Sequence, residues 1–271
     1  MLVNSRNSRM KIGHKIHHVR ETDSTMEACN LLANLGEESG TIVSTNYQES
    51  GRGRFKRKWV SPRGDNIQIS VLLRPTRKEL KYLNMFASLA VLATCDQILD
   101  TEGSIKWPND VQVNGKKISG ILIETLLEGE DVISSIIGIG FNVNLDVETE
   151  IDIEATATSL KCEKGRYINR SFVLKTLIKE LNYYYSQIGD SESLPLKWSE
   201  KLSTLGEMVT LSLGQNPYEH AASGLAESIN DDGGLIIKKD DGSFFIANAG
   251  EVTLAKNDPP MTHPGNKLNH P

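Results

Sequence analysis

Runs of alternating or continuous apolar residues divide most of the chain into short strands and helices. The segments 41–48 (TIVSTNYQ), 66–75 (NIQISVLLRP) and 132–144 (VISSIIGIGFNVN) are rich in β-branched residues and predict strands. Between residues 82 and 99, six mostly apolar residues recur at helical spacing and predict a helix that lies across the sheet. These residues are Leu83, Phe86, Ala87, Ala90, Thr94 and Ile98. A second long helix is predicted from Leu174 to Ile188.

A shorter helix is predicted near the N-terminus, within ETDSTMEACNLLANLG. Ser24 and Glu27 have the spacing of a capping box, and Gly36 lies where a helix commonly ends. The residues that we expect to face the core are Ala28, Leu31, Leu32 and Leu35.

The positions of glycines predict a hairpin turn and a site where another group approaches a strand closely. Asn114-Gly115 indicates a tight hairpin turn, after which an apolar strand returns from Ile118 to Ile123. Gly138 and Gly140 interrupt the strand at 132–144, which indicates that another group approaches the backbone closely there.

Beyond residue 190 the pattern changes. A short helix (LPLKWSEKL) is followed by brief β-type runs, separated by glycine-containing turns at the spacing of a small barrel. We therefore place a domain boundary near Leu205. The predicted organisation is a flexible lead at 1–11, a large domain at 12–204, a small β-barrel at 205–256 and an unstructured, proline-rich tail at 257–271.

Composition narrows the class of protein. With 271 residues, 38% of them hydrophobic, the chain can bury a substantial core, and its formal net charge of -5 is not that of a typical nucleic-acid binder. Cys29, Cys95 and Cys162 are widely spaced and odd in number, which favours a reducing compartment such as the cytoplasm over disulfides or a zinc site. No apolar run predicts a signal peptide or a membrane anchor.

One segment departs from this acidic balance: GRGRFKRKWVSP, residues 51–62. It lacks the third glycine of a dinucleotide-binding loop, and it has no Walker lysine pattern. Glycines that let a backbone wrap an anion, next to guanidinium groups that hold oxygen pairs, predict a mobile anion-binding loop. The plainer interpretation, a solvated charge run on a loop, is the more common one for an isolated basic stretch.

Two other segments are weak when taken alone. KWPND at 106–110 is a good turn at the end of a strand, where ligand-binding groups often gather. GKKISGILIE at 115–124 sets two lysines just before an apolar strand, where a buried lysine would meet an anion.

The order of these segments makes them specific. TDST at 22–25, Gln48, the basic loop, KWPND, GKKISGILIE and GIGFNVN at 138–144 together resemble the biotin protein ligases. The resemblance covers residues 12–144 closely. It implies an α/β catalytic domain related to class II aminoacyl-tRNA synthetases, with a mixed sheet and helices on one side, followed by a Src-homology-3-like barrel.

The resemblance also implies a reaction. Members of this family use ATP to activate biotin as biotinyl-5'-adenylate and then transfer biotin to a lysine of a biotin carboxyl carrier domain, such as that of acetyl-CoA carboxylase. Both steps involve anionic oxygens that must be neutralised, and the anhydride must be kept from water. A glycine-arginine loop that closes over the intermediate would serve both needs.

Site residues are assigned by the same resemblance. The predicted catalytic residues are Arg54, Lys106, Lys117 and Asp110, of which Asp110 either aids the incoming lysine or caps its own turn. The predicted biotin-binding residues are Ser24, Thr25, Met26, Gln48, Arg52, Gly53, Arg54 and Lys106. The predicted ATP-binding residues are Gly51, Arg52, Arg54, Trp59, Asn109, Lys117 and Asn142. Ser24 has a structural alternative, because a hydroxyl at a helix start also serves as a cap.

Two positions depart from the family pattern. Lys56 stands where many members have glycine, which predicts a stiffer and more highly charged loop. Met26 stands where asparagine is common, so that one polar contact to biotin is expected to be absent.

The resemblance further implies a carrier protein or domain as partner, Mg²⁺ accompanying ATP without a dedicated metal site, and a homodimer paired through a sheet edge. Only about a dozen residues precede the first predicted strand, so we expect a ligase without a helix-turn-helix domain and without a DNA partner. Two alternatives are kept. One is a lipoate-protein ligase of the same superfamily, and the other is a non-catalytic module that binds nucleic acid through the basic loop.

Overall fold

The computed structural model describes residues 10–147, 156–189, 193–214 and 220–254. The predicted tail at 257–271 and most of the predicted lead at 1–11 lie outside these ranges. Within them, none of the helices combines the length and apolar character that a membrane crossing requires.

Twelve strands and five α-helices are described. The strands are β1 (Ile16–Val19), β2 (Ile42–Thr45), β3 (Ile67–Leu73), β4 (Gly103–Lys106), β5 (Asp110–Val113), β6 (Lys116–Glu128), β7 (Asp131–Phe141), β8 (Met208–Ser212), β9 (His220–Ile229), β10 (Leu235–Lys238), β11 (Phe244–Ala247) and β12 (Glu251–Leu254). The α-helices are α1 (Thr25–Asn34), α2 (Leu83–Ile98), α3 (Leu160–Lys164), α4 (Arg170–Tyr185) and α5 (Ser193–Glu200), and short 3₁₀ turns lie at Arg54–Lys56 and Arg77–Tyr82.

The first sheet is mixed, as predicted. Its seven strands run in the order β1-β2-β3-β7-β6-β5-β4, and β1 pairs with β2 in parallel while the other pairs are antiparallel. Since side chains alternate between the two faces of a strand, β3 sends Ile69 and Val71 to one face and Gln68, Ser70 and Leu72 to the other. The first face packs against α2 and α4, and this is the main core of the protein.

The expectation of helices on one side of this sheet is wrong. Helix α1 covers part of the opposite face, where Met26, Cys29 and Ala33 form a smaller core with Leu72. The rest of that face remains open, and the candidate site lies there.

The expected core face of α1 is only half right. Ala28 and Leu32 pack partly against the smaller core, whereas Leu31 is 65% exposed and Leu35 is 83% exposed. The helix is rotated because Met26, near its start, is inserted against the sheet at Gly138, so the buried stripe continues through Cys29 and Ala33.

The predicted strands, the long helix α2 and the hairpin are confirmed. Asn114 and Gly115 both have positive φ (51° and 73°), as a two-residue hairpin turn requires. The turn joins β5 to β6, and Asp110 is thereby placed at the start of β5 beside Lys117 of β6.

The C-terminal strands form a five-stranded antiparallel sheet in the order β11-β10-β9-β8-β12. It is joined to the part of the chain that forms the first sheet around buried Trp107, whose backbone N–H donates to the Thr204 hydroxyl (2.9 Å) and whose indole N–H donates to the Gly233 carbonyl (3.0 Å). This docking brings β12 to the rim of the candidate site, because Glu251 and Leu254 help to line the cavity described next.

Candidate active site

A cavity of about 960 Å³ lies on the open face of the first sheet. Its floor is made by β3, β7 and β6, where Gln68 pairs with Gly140 and Gly140 pairs with Gly120. The start of α1, the basic loop, the KWPND turn and the edge strand β12 form its walls. Every predicted site residue except Gly51 lines this cavity.

The glycines of β7 explain how the walls reach the floor. A Cβ atom on Gly138 would lie 2.6 Å from the Met26 sulfur, and one on Gly140 would lie 2.3 Å from a ring carbon of Trp59. A Cβ on Gly120 would also meet the Trp59 ring, at 3.1 Å. The predicted close approach is therefore confirmed, and the approaching groups are the side chains of Met26 and Trp59.

Four polar side chains are linked at one end of the cavity. The Gln48 carbonyl oxygen accepts hydrogen bonds from the Thr25 backbone N–H (2.7 Å) and hydroxyl (3.0 Å). The Gln48 amide donates to the Gln68 carbonyl oxygen (2.8 Å), and the Ser70 hydroxyl donates to the Thr25 hydroxyl (2.8 Å). These bonds fix the orientation of the Gln68 amide nitrogen at the cavity wall.

Several buried polar atoms of the cavity have no partner. Among the described residues, five buried side-chain polar atoms lack a hydrogen bond, and four of them belong to the cavity lining: Ser24 Oγ, Gln68 Nε2, Trp59 Nε1 and Asn142 Oδ1. Unpaired buried polar atoms are rare in folded proteins. Their concentration in one cavity indicates a binding site for a ligand with polar groups at both ends.

Ser24 occupies the N-cap position of α1, but its side chain makes no capping hydrogen bond. The predicted capping box is therefore absent. Because the Ser24 hydroxyl is buried and directed at the cavity, the ligand-binding role predicted for it has no competing partner in the described structure.

The basic loop folds into a small hairpin over the cavity. The Gly53 N–H donates to the Arg57 carbonyl (2.8 Å), and the Trp59 N–H donates to the Gly51 carbonyl (2.9 Å). Gly51 lies outside the cavity lining, beneath Trp59, where a Cβ would be 3.0 Å from the Trp59 carbonyl oxygen. The Lys56 side chain lies outside the described part of the structure, so the stiffening expected from it stays a prediction.

Arg54 points inward from the loop. Its guanidinium donates to the Asn109 side-chain oxygen (3.0 Å), and Asn109 in turn donates to the Ile121 carbonyl. Burial lowers the pKa of Arg54, although the nearby carboxylate of Asp110 acts in the opposite direction. A partly desolvated guanidinium on a cavity wall is well suited to an anionic ligand.

Arg52 is turned less fully toward the cavity. It is 40% exposed, and its guanidinium lies 3.5 Å from the Glu27 carboxylate and 3.9 Å from that of Glu124. The side chain still lines the cavity.

Lys106 and Lys117 approach the cavity from below the loop. Lys106 ends β4 opposite Asp110, and the Lys117 ammonium is 2.7 Å from the Asp110 carboxylate. Lys117 also lies 5.7 Å from the centre of the Trp59 ring. Asp110 thus forms an ion pair with Lys117. This contact differs from both roles predicted for Asp110, which were to aid the incoming lysine or to cap its own turn.

Asn142 closes the far end of the floor. Its amide nitrogen donates to the Thr158 carbonyl (3.0 Å), which leaves its unpaired oxygen at the cavity. Thr156 and Ala157, just before Thr158, are held against β6 because the Lys117 N–H donates to the Thr156 carbonyl (2.8 Å).

Charge defines what the cavity accepts. Six cationic side chains line it (Arg52, Arg54, Arg57, Lys58, Lys106 and Lys117), against the two carboxylates of Asp110 and Glu251. This excess favours an anion at the loop end. Within the described ranges, no cluster of three or more His, Cys, Asp or Glu residues has the arrangement of a metal site.

Gln68 and Glu251 are among the lining residues that were not assigned from the sequence. Gln68 had a usable signal, since Asn66, Gln68 and Ser70 are polar on one face of a predicted strand. Glu251 had none, because its approach to the loop depends on how the second sheet docks. Burial raises the pKa of the Glu251 carboxyl, but the hydrogen bond from Arg57 and nearby cationic charges outweigh burial and leave that pKa below its ordinary value.

Comparisons with known proteins agree with this geometry. Residues 19–142 match the model of the biotin/lipoate A/B protein ligase family. The chain is 33% identical to the bifunctional ligase/repressor BirA of Bacillus subtilis, over 87% of this chain and 73% of the relative. It is 30% identical to the biotin--[acetyl-CoA-carboxylase] ligase of Paracoccus denitrificans, over 84% of this chain and 96% of the relative.

The fold has solved counterparts as well. The biotin protein ligase of Aquifex aeolicus, in complex with biotin and ATP, superposes with a TM-score of 0.75 and 31% identity, over 90% of this chain and 99% of that one. The chain belongs to the biotin/lipoate A/B protein ligase family and, within it, to the biotin protein ligases.

Proposed function

We propose that the chain uses ATP to activate biotin as biotinyl-5'-adenylate and then transfers the biotinyl group to a lysine of a biotin carboxyl carrier domain, such as that of acetyl-CoA carboxylase. The strongest support is the division of the cavity. One end presents the unpaired Ser24 hydroxyl and Gln68 amide, and the other presents cationic side chains. Biotin has a polar ureido ring at one end and a carboxylate at the other, which suits this arrangement.

Biotin binding is assigned to the polar end. The ureido group carries a carbonyl oxygen and two N–H donors, so it can accept from Gln68 Nε2 and donate to Ser24 Oγ. Gln48, which accepts a hydrogen bond from Thr25, holds Gln68 in place. Met26, lying on Gly138, supplies apolar surface beside the bicyclic ring.

Activation of biotin is assigned to the cationic end. A biotin carboxylate oxygen attacks the α-phosphorus of ATP, and the bond from that phosphorus to the β-phosphate oxygen breaks to release pyrophosphate. Arg54 and Lys117 would neutralise charge that grows on the α-phosphate oxygens, while Lys106 and Arg52 draw the carboxylate toward it. Trp59 and Asn142 border the space left for the adenosine, with Asn142 Oδ1 as a free acceptor.

Transfer follows in the same cavity. The carrier lysine amine attacks the acyl carbon of the mixed anhydride, AMP leaves with the bridging oxygen, and the amine proton passes to solvent or to a phosphate oxygen. We assign Asp110 the role of holding the Lys117 ammonium in place during both steps. Closure of the basic loop keeps water from the anhydride.

We further propose that Mg²⁺ enters with ATP, coordinated chiefly by phosphates and water. The C-terminal sheet is proposed to be the small barrel of the family, with domain limits at 12–204 and 205–256, and the wide cysteine spacing supports a cytoplasmic protein. A carrier domain, rather than DNA or a membrane, is the proposed partner, and self-association through a sheet edge stays a proposal from resemblance alone.

Isotope exchange tests the proposed function. The protein is incubated with ATP, labelled pyrophosphate and either biotin or lipoate. Biotin-dependent incorporation of label into ATP is the expected result. Lipoate-dependent exchange would instead indicate the related ligase, and the absence of exchange with both acids would contradict an activating enzyme.

A further inference from the structure

The basic loop is tied to the C-terminal sheet by a two-point ion pair. The guanidinium nitrogens of Arg57, which closes the turn of the loop, lie 2.7 Å and 2.6 Å from the two carboxylate oxygens of Glu251, the first residue of β12. The two residues are 194 positions apart in the chain. Such paired, charge-assisted hydrogen bonds fix direction as well as distance.

This ion pair is one of several attachments of the loop, which also include the contacts of Arg52 with Glu27 and Glu124. Trp59, at the base, is buried against Gly140 and Gly120, and Arg54 reaches Asn109 on the inner side. The attachment of Arg57 to Glu251 joins the loop to the C-terminal sheet and is partly open to solvent, with side chains 56% and 37% exposed. An opening motion that keeps Trp59 in place would therefore break the partly exposed contacts of Arg57 and Arg52.

We propose that Glu251, acting through Arg57, is a positioning residue that holds the basic loop closed over the acyl-adenylate, so that the C-terminal sheet controls retention of the intermediate. This inference rests on the proposed function. Neither residue needs to touch the reacting atoms. Their role is to shift the loop toward its closed state while Arg54 and Lys117 face the phosphate.

Release of the intermediate is the property to measure. Enzyme loaded with labelled biotin and ATP is chased with unlabelled biotin, and loss of bound biotinyl-adenylate is followed in Arg57→Gln, Glu251→Gln and the double variant. Each single substitution is expected to speed release about two- to fivefold, as for a partly exposed ion pair. The double variant should match the singles, because either change removes the same contact.

Salt gives a second readout. Screening should speed release from both the wild-type enzyme and Glu251→Gln, because cationic side chains hold the anionic adenylate, but the effect should be larger in the wild type, in which salt also weakens the Arg57–Glu251 pair. The KM for biotin should change less than the rate of release in Arg57→Gln and Glu251→Gln, since the polar end of the cavity is not altered.

The chain offers a closely matched control. Arg63 and Glu21 form an ion pair of 2.8 Å with exposures of 57% and 40%, outside the cavity lining. Glu21→Gln should leave release unchanged. Release at the wild-type rate in Arg57→Gln and Glu251→Gln, or additive effects in the double variant, would overturn the proposal. Absence of biotin-dependent exchange in the wild type would instead refute the proposed function itself.

Discussion

At the scale of single residues, the site depends on side chains whose polar atoms are buried and directed at the cavity. Gln68 shows this most clearly. Its oxygen accepts from Gln48, so its unpaired nitrogen is left at the cavity. A buried polar atom without a partner lowers the stability of the folded protein unless a ligand completes its hydrogen bonds.

Substitution of Gln68 by leucine should weaken biotin binding. The variant removes the donor that we assign to the ureido oxygen, and it leaves the Gln48 amide without its acceptor. A buried hydrogen bond of this kind is worth about 1–3 kcal/mol, so the KM for biotin should rise roughly 5- to 150-fold while the KM for ATP changes little. Steady-state kinetics with Gln187→Leu, at a residue that lies just beyond the end of α4 and outside the cavity lining, provide the control. An unchanged KM for biotin would contradict the assignment.

Substitution of Arg54 by alanine should release activated biotin. The guanidinium is the inward-facing cation of the loop, and charge-assisted hydrogen bonds contribute about 1.5–3 kcal/mol each, so retention of the adenylate should fall roughly 10- to 150-fold. The escaped anhydride should then label lysines of a bystander protein indiscriminately. Biotinylation of a non-carrier protein is the readout, with Arg77→Ala, outside the cavity, as control. Unchanged selectivity would count against this role of Arg54.

At the scale of elements, the contact between the basic loop and β7 sets the position of the loop. Trp59 packs flat against a strand that carries glycine where it would otherwise carry a side chain. The sequence predicted a close approach at Gly138 and Gly140, because glycines interrupt an apolar strand. It did not reveal which side chains approach, since Met26 and Trp59 reach β7 only through the fold.

Substitution of Gly140 by alanine should displace the basic loop from β7. Gly140→Ala places a Cβ 2.3 Å from the Trp59 ring, so the ring must move, at a stability cost of about 1–3 kcal/mol. We expect a KM for ATP several-fold higher, because the loop no longer lies close to the nucleotide. The double variant with Trp59→Ala is the control, and Gly140→Ala should add nothing to it. Equal effects with and without the tryptophan would contradict the contact.

Element boundaries were predictable where local pattern decides them. Helix α2 and strands β2, β3 and β7 follow from periodicity, and the β5–β6 turn follows from Asn114-Gly115. The orientation of α1 was not predictable, because its helical period is compatible with several buried stripes. The insertion of Met26 against Gly138 selects one of them and leaves Leu31 and Leu35 in solvent.

At the scale of the whole molecule, two sheets cooperate to enclose one cavity. The first sheet supplies the floor, and the second brings Glu251 to the loop through its docking around Trp107. Motif order predicted nearly all of the lining that comes from residues 24 to 142. The part contributed by the second sheet depends on tertiary packing, for which short local motifs carry no signal.

Thiol reactivity checks the packing of both faces of the first sheet. Cys29 is buried on the inner face of α1, where burial raises its pKa to about 12, and Cys95 is buried in the main core, where burial also raises its pKa. Cys162 is exposed. At pH 8 the buried thiols therefore stay protonated, and a thiol reagent should modify Cys162 alone until the protein unfolds. Cys162→Ser should abolish the native reaction, and fast labelling of Cys29 or Cys95 would contradict the described packing.

The most direct test is a crystal structure of the protein with biotin and ATP bound. We predict electron density for the adenylate along the floor of the first sheet, with the ureido ring between Ser24 and Gln68 and the phosphate among Arg54, Lys106 and Lys117. The ring of adenine should lie beyond Trp59, toward Asn142. Density for the ligand elsewhere on the molecule, with these side chains facing solvent, would contradict the account.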